Sequence, residues 1–196
     1  MDSGQLKREK RLVRLAVLER RDALSTRERE RLGALVTARV LALPEVATAR
    51  AVMAFWAFGS EVPTIGLIEA LVSREVKVAL PRIVDGELEP RTWRPGEPTT
   101  TTSFGALEPA GGEALAPSGV DVVVTPAVAF DRTGRRVGYG GGYYDRFFPR
   151  ARPDAFRLGM AFGLQLLDRA LPAGHFDLPV HAVATESETV RCPPTR

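Results

Sequence analysis

A chain of 196 residues, 44% hydrophobic and 26% charged, has the length and balance of one globular domain with a sizeable core. No apolar run approaches the roughly 18 residues of a membrane-spanning helix; a lone cysteine, Cys192, and two histidines, His175 and His181, exclude an intrachain disulfide or a Cys/His zinc cage and leave hard ions held by oxygen. The net charge of +3 is local, because residues 5–32 hold ten Lys or Arg against five Asp or Glu and the remainder sums to about −2.

That basic segment is the first predicted element. Apolar residues at Leu6, Val13, Val17 and Leu24 recur near the period of an amphipathic helix. Ser25 and Glu28 form a capping box that starts a second helix, with Leu32, Leu35, Val36, Val40 and Leu43 on one face and a stop at Pro44. The pair predicts an N-terminal helical hairpin over 5–43. It interleaves acids with bases and holds no aromatic ring, the first being Phe55, so it reads as a solvated helix lending cations to an anionic ligand. No apolar h-region follows the first residues, which predicts a cytoplasmic protein.

From residue 50 to 190 strand-like runs alternate with helical ones: strands over 51–58, 76–80, 120–125, 156–162 and 180–185, and a helix over 64–74. Such alternation predicts a single α/β domain spanning 1–196, with a mainly parallel, Rossmann-like sheet flanked by helices. Residues 90–119 carry five Pro, five Gly and four consecutive threonines, and predict a long ordered loop or flap. In open parallel sheets ligands bind beyond the carboxyl ends of the strands, so the segments to inspect follow Phe58, Leu80, Thr125 and Phe162.

The chemistry concentrates in Arg135, Arg136, Val137, Gly138, Tyr139, Gly140, Gly141, Gly142, Tyr143, Tyr144, Asp145 and Arg146. Four glycines in five positions let the backbone take φ > 0 and turn successive N–H groups toward an anion, and a following helix N-terminus adds its dipole. Arg135, Arg136 and Arg146 flank the loop with guanidinium forks suited to phosphate. The pattern is neither a dinucleotide G-x-G-x-x-G nor a P-loop. Glycines alone also suit a tight turn, and Asp145 alone a helix-cap carboxylate; beside a triphosphate Asp145 becomes an oxygen ligand for Mg²⁺.

This stretch, together with Thr125, Pro126, Ala127, Val128, Ala129, Phe130 and Asp131, resembles the signature of the 5-formyltetrahydrofolate cyclo-ligase family. The likeness continues in family order through Lys10 and Arg14, then Gly59, Ser60, Glu61 and Val62, then Leu80, Pro81 and Arg82. It resumes at Phe104 and Gly105, Glu108 and Pro109, residues 159–162 with Gln165, and residues 182–186. The resemblance implies a fold similar to that of sugar-phosphate isomerases and CoA-transferases. It also implies a monomeric enzyme that uses ATP and Mg²⁺ on a folate substrate, without nucleic-acid or membrane partners.

By the same resemblance, ATP would meet Lys10, Arg11, Arg14, Arg135, Arg136, Val137, Gly138, Tyr139, Gly140, Gly141, Gly142, Tyr143 and Tyr144. Folate would meet Arg14, Trp56, Glu61, Tyr139, Gly140, Gly141, Gly142 and Tyr143. Arg136, Tyr143 and Glu61 would be catalytic, and Asp145 and Asp177 would hold the metal. Spacing alone reads Lys10 and Arg14 as solvated cations one turn apart, Glu61 as a surface acid or helix-entry cap, and Asp177 as a turn residue. The sequence departs from the family pattern at His181, where Asp is common, at Ala127, where Gly is usual, and at Gly141, where Lys is frequent.

The implied reaction closes 5-formyltetrahydrofolate to 5,10-methenyltetrahydrofolate, with ATP phosphorylating the formyl oxygen. The inventory fits, since it lacks a Ser-His-Asp or Cys-His nucleophile set and offers phosphate-binding groups instead. Two alternative readings are a sugar-phosphate isomerase or CoA-transferase-like enzyme without ATP turnover, and a nucleic-acid-binding or docking module built on the basic hairpin.

Overall fold

Residues 3–102 and 105–193 are described by a computed structural model of the chain. Helices α1 (Ser3–Asp22) and α2 (Thr26–Leu41) come first, joined by a turn that ends in a capping box. The Ser25 hydroxyl accepts from the Glu28 N–H at 3.2 Å, and the Glu28 carboxylate accepts from the Ser25 N–H at 3.3 Å. The helices bury different faces: α1 lays Val13 and Val17 against Val128, Ala129, Val137 and Leu171, whereas α2 sends Val36 and Val40 into the main core. Pro44, expected only as a stop, begins the one-turn helix α3 (Pro44–Ala47), where its missing N–H removes no helical bond.

The elements that follow are β1 (Ala51–Met53), α4 (Ile65–Ser73), β2 (Lys77–Val84), β3 (Glu87–Thr92), β4 (Thr99–Thr101), β5 (Leu107–Pro109), β6 (Val122–Thr125), β7 (Ala129–Asp131) and β8 (Arg136–Val137). Next come α5 (Tyr143–Phe147), β9 (Phe156–Met160), β10 (Leu166–Leu167), β11 (Ala182–Ala184) and β12 (Thr189–Arg191). The main sheet has the order β12-β11-β9-β6-β1-β2-β3. Its five inner strands are parallel, and β3 and β12 are antiparallel edges. From β1 the chain steps to β2 on one side, then returns to the other side for β6, β9 and β11. The strand order therefore reverses between β1 and β6, and a crevice opens there at the carboxyl ends.

Strands β1, β6 and β11 are buried throughout, which is why they read as unbroken apolar runs. Their residues alternate between faces: Val52, Val122 and Val124 pack with α2 and α4, whereas Met53, Val123 and Val183 pack with Phe130, Phe147 and Phe148.

Four expectations change. The first strand ends at Met53 rather than residue 58, because Thr64 captures the backbone beyond it: the hydroxyl donates to the Phe55 carbonyl at 2.7 Å and accepts from the Ala57 N–H at 3.1 Å. Residues 55–61 are thereby freed from the sheet to line the crevice. The expected loop over 90–119 contains structure: β3 completes a hairpin with β2, and the β-branched Thr99, Thr100 and Thr101 form β4 of a ribbon with β5. Phe104, part of the family likeness, lies outside the described residues. The helix after the glycine loop, α5, has only five residues, too few for a useful macrodipole. The segment after residue 162 stays out of the crevice, since Gln165 turns inward and donates to the carbonyls of Ala127 at 2.8 Å and Val128 at 3.2 Å. Among the described residues no helix is long and apolar enough to cross a membrane.

Candidate active site

A cavity of about 970 Å³ occupies the crevice. One wall is α1, which turns Lys10 and Arg14 inward; another is the freed segment with Phe55, Trp56, Phe58 and Glu61; the glycine loop and α5 close it below.

In the glycine loop, Gly140 and Gly142 adopt φ of 113° and 65°, conformations that a side chain makes costly. None of the N–H groups of residues 138–142 donates to an acceptor among the described residues. A row of free donors therefore lines the cavity beside the cationic side chains of Lys10, Arg14 and Arg136, an arrangement suited to phosphate oxygens. Gly141 packs closely against Tyr143 in this chain. A Cβ there would stand 2.5 Å from the Tyr143 ring, so that ring packs on bare backbone and is covered by the Arg146 guanidinium, 5.1 Å from its centroid.

At the cationic end, Arg14 Nε donates to the Gly138 carbonyl at 2.6 Å, and Lys10 pairs with Asp177 at 2.5 Å. Arg136, 8% exposed, pairs with Asp145 at 2.8 Å and donates to the Leu178 carbonyl. Burial lowers its pKa, opposed by the nearby charges of Asp145 and then Asp177. Asp145 Oδ1 also accepts from the Leu178 N–H at 3.0 Å, and Asp177 Oδ2 from the Gly174 N–H at 2.6 Å. Each carboxylate keeps a second oxygen that accepts no hydrogen bond among the described residues. No group of three His, Cys, Asp or Glu gathers into a metal cage among those residues.

The other end is aromatic. Trp56 meets Trp93 edge to face at 5.0 Å, and the Phe58 ring lies 5.2 Å from that of Tyr139. Glu61, 6% exposed, lies at this end, with Oε2 accepting from the Phe58 N–H at 3.1 Å and Oε1 without a hydrogen-bond partner among the described residues. Burial pushes the Glu61 carboxyl up to about 7, against the opposing effects of the Phe58 N–H, Arg21 and Tyr139. The Tyr144 hydroxyl is also buried without a partner among the described residues, and burial and then the Glu61 charge raise its pKa above that of a free phenol. A donor-rich basic end and a flat aromatic end thus share one cavity.

The sequence model of the 5-formyltetrahydrofolate cyclo-ligase family matches residues 6–186. The chain belongs to that family. A 5-formyltetrahydrofolate cyclo-ligase of Escherichia coli strain K12 is 32% identical over 182 residues, covering 88% of this chain and 97% of that one. The solution structure of a 5,10-methenyltetrahydrofolate synthetase from Aquifex aeolicus superposes with a TM-score of 0.83 at 32% identity, covering 95% of this chain and 94% of that one. A 5,10-methenyltetrahydrofolate synthetase from Mycoplasma pneumoniae shares the fold at 20% identity, with a TM-score of 0.74 and coverage of 91% and 99%.

Most residues that the cyclo-ligase likeness nominated line the cavity: Lys10, Arg14, Trp56, Glu61, Arg136, Gly138, Tyr139, Gly140, Gly141, Gly142, Tyr143, Tyr144, Asp145 and Asp177. Three do not. Arg11 lies about 100° round α1 from Lys10 and is exposed. Arg135 precedes Arg136 in extended chain, so their side chains point to opposite sides, and Arg135 faces a separate groove beside Leu12 and Leu171. The Val137 side chain is core, packed with Val13 and Val17. Arg146 is also outside the cavity lining; it clamps the loop, donating to the carbonyls of Gly141 and Gly86, each at 2.9 Å, and to Glu87 at 3.1 Å. Arg14 brings its charge to the loop, its Nη2 standing 3.7 Å from the position of a Gly140 Cβ.

Sequence reasoning missed Arg21, which is 2% exposed and donates to the Tyr139 hydroxyl at 2.6 Å and to Ser60 Oγ at 2.9 Å. Its signal was available: Arg21 follows Arg14 by seven residues, two helical turns, and so shares its face of α1.

Proposed function

We propose that the chain works as one domain that closes 5-formyltetrahydrofolate to 5,10-methenyltetrahydrofolate, converting ATP to ADP and phosphate. The observation that carries this reading is the pairing, in one cavity, of a free-donor loop flanked by Lys10, Arg14 and Arg136 with an aromatic pocket holding the buried Glu61 carboxylate. The first end suits a triphosphate and the second a flat, N–H-rich pterin. The names of the relatives support the same substrate.

The formyl group on nitrogen 5 is an amide, and its oxygen leaves only after activation. The formyl oxygen attacks the γ-phosphorus and the bond to ADP breaks. Nitrogen 10 adds to the formyl carbon and loses its proton, and phosphate departs with the former formyl oxygen and its bonding electrons. Positioning and charge stabilisation carry such a reaction. In this reading the loop N–H groups, Lys10, Arg14 and Arg136 hold the phosphates, while Trp56 and Tyr143 bracket the folate rings. Ionised Glu61 accepts from pterin N–H groups. The Tyr144 hydroxyl, which feels both Glu61 and Arg136, suits the oxygen in transit between the two ends.

Asp145 and Asp177 fit a Mg²⁺ site, since each retains a free oxygen on the cavity wall and Mg²⁺ takes one or two carboxylates together with phosphate oxygens. Bound there, the ion would supply charge neutralisation for the triphosphate.

The deciding experiment incubates purified protein with 5-formyltetrahydrofolate and MgATP and follows the near-ultraviolet absorbance of methenyltetrahydrofolate. Absorbance growing only with nucleotide, matched by phosphate release, is the expected result. Growth that ignores ATP, or none at all, rejects the assignment.

A further inference from the structure

We propose that Arg21 is a positioning residue for the folate end of the cavity, acting through Tyr139 and Glu61 without touching either substrate. The inference rests on the cyclo-ligase reading and extends it to a side chain outside the cavity lining.

Arg21 lies in the last turn of α1 and is buried, yet no carboxylate lies within salt-bridge distance among the described residues. Its Nε donates to Ser60 Oγ at 2.9 Å, Nη2 donates to the Tyr139 hydroxyl oxygen at 2.6 Å, and Nη1 has no partner among the described residues. Ser60 in turn donates to the Asp22 carboxylate. Burying a cation without a paired anion costs several kcal/mol, and an apolar side chain of similar volume would fill the space at lower cost. Packing alone therefore does not account for an arginine here.

Its contacts do account for it. Arg21 ties two cavity walls together, the segment carrying Ser60 and Glu61 and the glycine loop carrying Tyr139. By occupying the Tyr139 oxygen as acceptor, it leaves the phenolic hydrogen to point away from α1. Its charge also acts on Glu61. The groups facing that carboxylate are Arg21 from α1, the Phe58 N–H from its own segment, Tyr139 from the loop and Tyr144 from α5, with Asp22 behind Ser60. Arg21 is the only cation in this set, so it opposes burial and favours the ionised form of Glu61, the form able to accept from a pterin.

The test compares the full-length chain with Arg21→Gln, Arg21→Lys, Tyr139→Phe and the Arg21→Lys/Tyr139→Phe double variant. Circular dichroism checks folding, and kinetics are measured across pH. Arg21→Gln is expected to raise the KM for 5-formyltetrahydrofolate about tenfold, the size of a lost hydrogen bond to a charged group. The KM for MgATP should stay within about twofold. The acidic limb of kcat/KM for folate should move up by about one pH unit as the opposing charge is lost. Arg21→Lys should leave the limb in place while weakening folate, and the double variant should be no worse than Arg21→Lys.

A folded Arg21→Gln enzyme with unchanged folate KM and limb overturns the proposal, as does equal damage to both substrates. Should Arg21→Gln not fold, strictly additive effects of Arg21→Lys and Tyr139→Phe overturn it instead. A wild-type chain with no turnover removes the cyclo-ligase reading and this inference together, whereas an active wild type with an indifferent Arg21 removes only the inference.

Discussion

Arg136 and Asp145 form an ion pair in the cavity wall, Nη2 to Oδ1 at 2.8 Å, and both also bond the backbone of Leu178. The end of the glycine loop is thus stitched to the turn that delivers Asp177 to Lys10. Lys10 and Arg136, proposed for phosphate, are thus paired with Asp177 and Asp145, proposed for magnesium. In the proposed function Lys10 and Arg136 would turn to phosphate and Asp177 and Asp145 to the metal, so that no buried charge would be left alone.

Removing one member of that pair should therefore damage the fold as well as the reaction. Arg136→Ala strands Asp145 and should cost about 3–5 kcal/mol of stability, the range for a broken buried pair. The double variant Arg136→Ala/Asp145→Ala should recover much of that loss in a denaturant titration and none of the turnover. Additive destabilisation of the two single changes would show that the pair is not coupled.

Arg135 provides the control for Arg136. One residue away in sequence but directed at the opposite side, it contacts nothing in the cavity. Arg135→Ala should leave the KM for MgATP within about twofold, as is usual for an exposed charge away from a ligand. A tenfold rise would place its guanidinium on the nucleotide and contradict the side-chain directions described above.

Gly141→Ala tests the seat of Tyr143. The new methyl group would lie 2.5 Å from the ring, so the ring must tilt out or the loop must shift. Displacing a positioned group by about 1 Å can reduce turnover about 100-fold. The variant should keep its melting temperature within a few degrees, because the loop is largely exposed, and lose kcat. Unchanged kcat would free Tyr143 from a positioning role.

How far the sequence alone reached follows from which forces act locally. The capping box of Ser25 and Glu28 and the buried run of β6 involve neighbours in the chain, and both appear where their patterns predict them. The glycine loop was legible because its φ > 0 positions and free donors are backbone properties of glycine itself. Side-chain direction was less accessible. Only the extended geometry around β8 separates Arg135 from Arg136, and only the bond from Thr64 to Phe55 explains why an apolar run ends as a strand after Met53. The spacing from Arg14 puts Arg21 on the same face of α1, but its partners and the elevated Glu61 pKa arise from tertiary burial, which no local spacing encodes.

Glu61 offers a test in which stability and activity move in opposite directions. Burial raises its pKa from an ordinary 4.5 to about 7, so the folded protein holds the proton more tightly than the unfolded chain does. The stability contributed by the protonated side chain is present below about 4.5 and is lost as pH rises through about 7. That loss amounts to about 3 kcal/mol. Glu61→Gln cannot ionise and avoids it. The variant should melt above the wild type at pH 8, with the difference shrinking toward pH 5. Its turnover should fall by orders of magnitude, since a glutamine amide lacks the carboxylate that would accept from two pterin N–H groups. A melting difference that is the same at pH 5 and pH 8 would mean Glu61 titrates as an ordinary carboxylate, and the acidic limb of wild-type kcat/KM near pH 7 would then need another source.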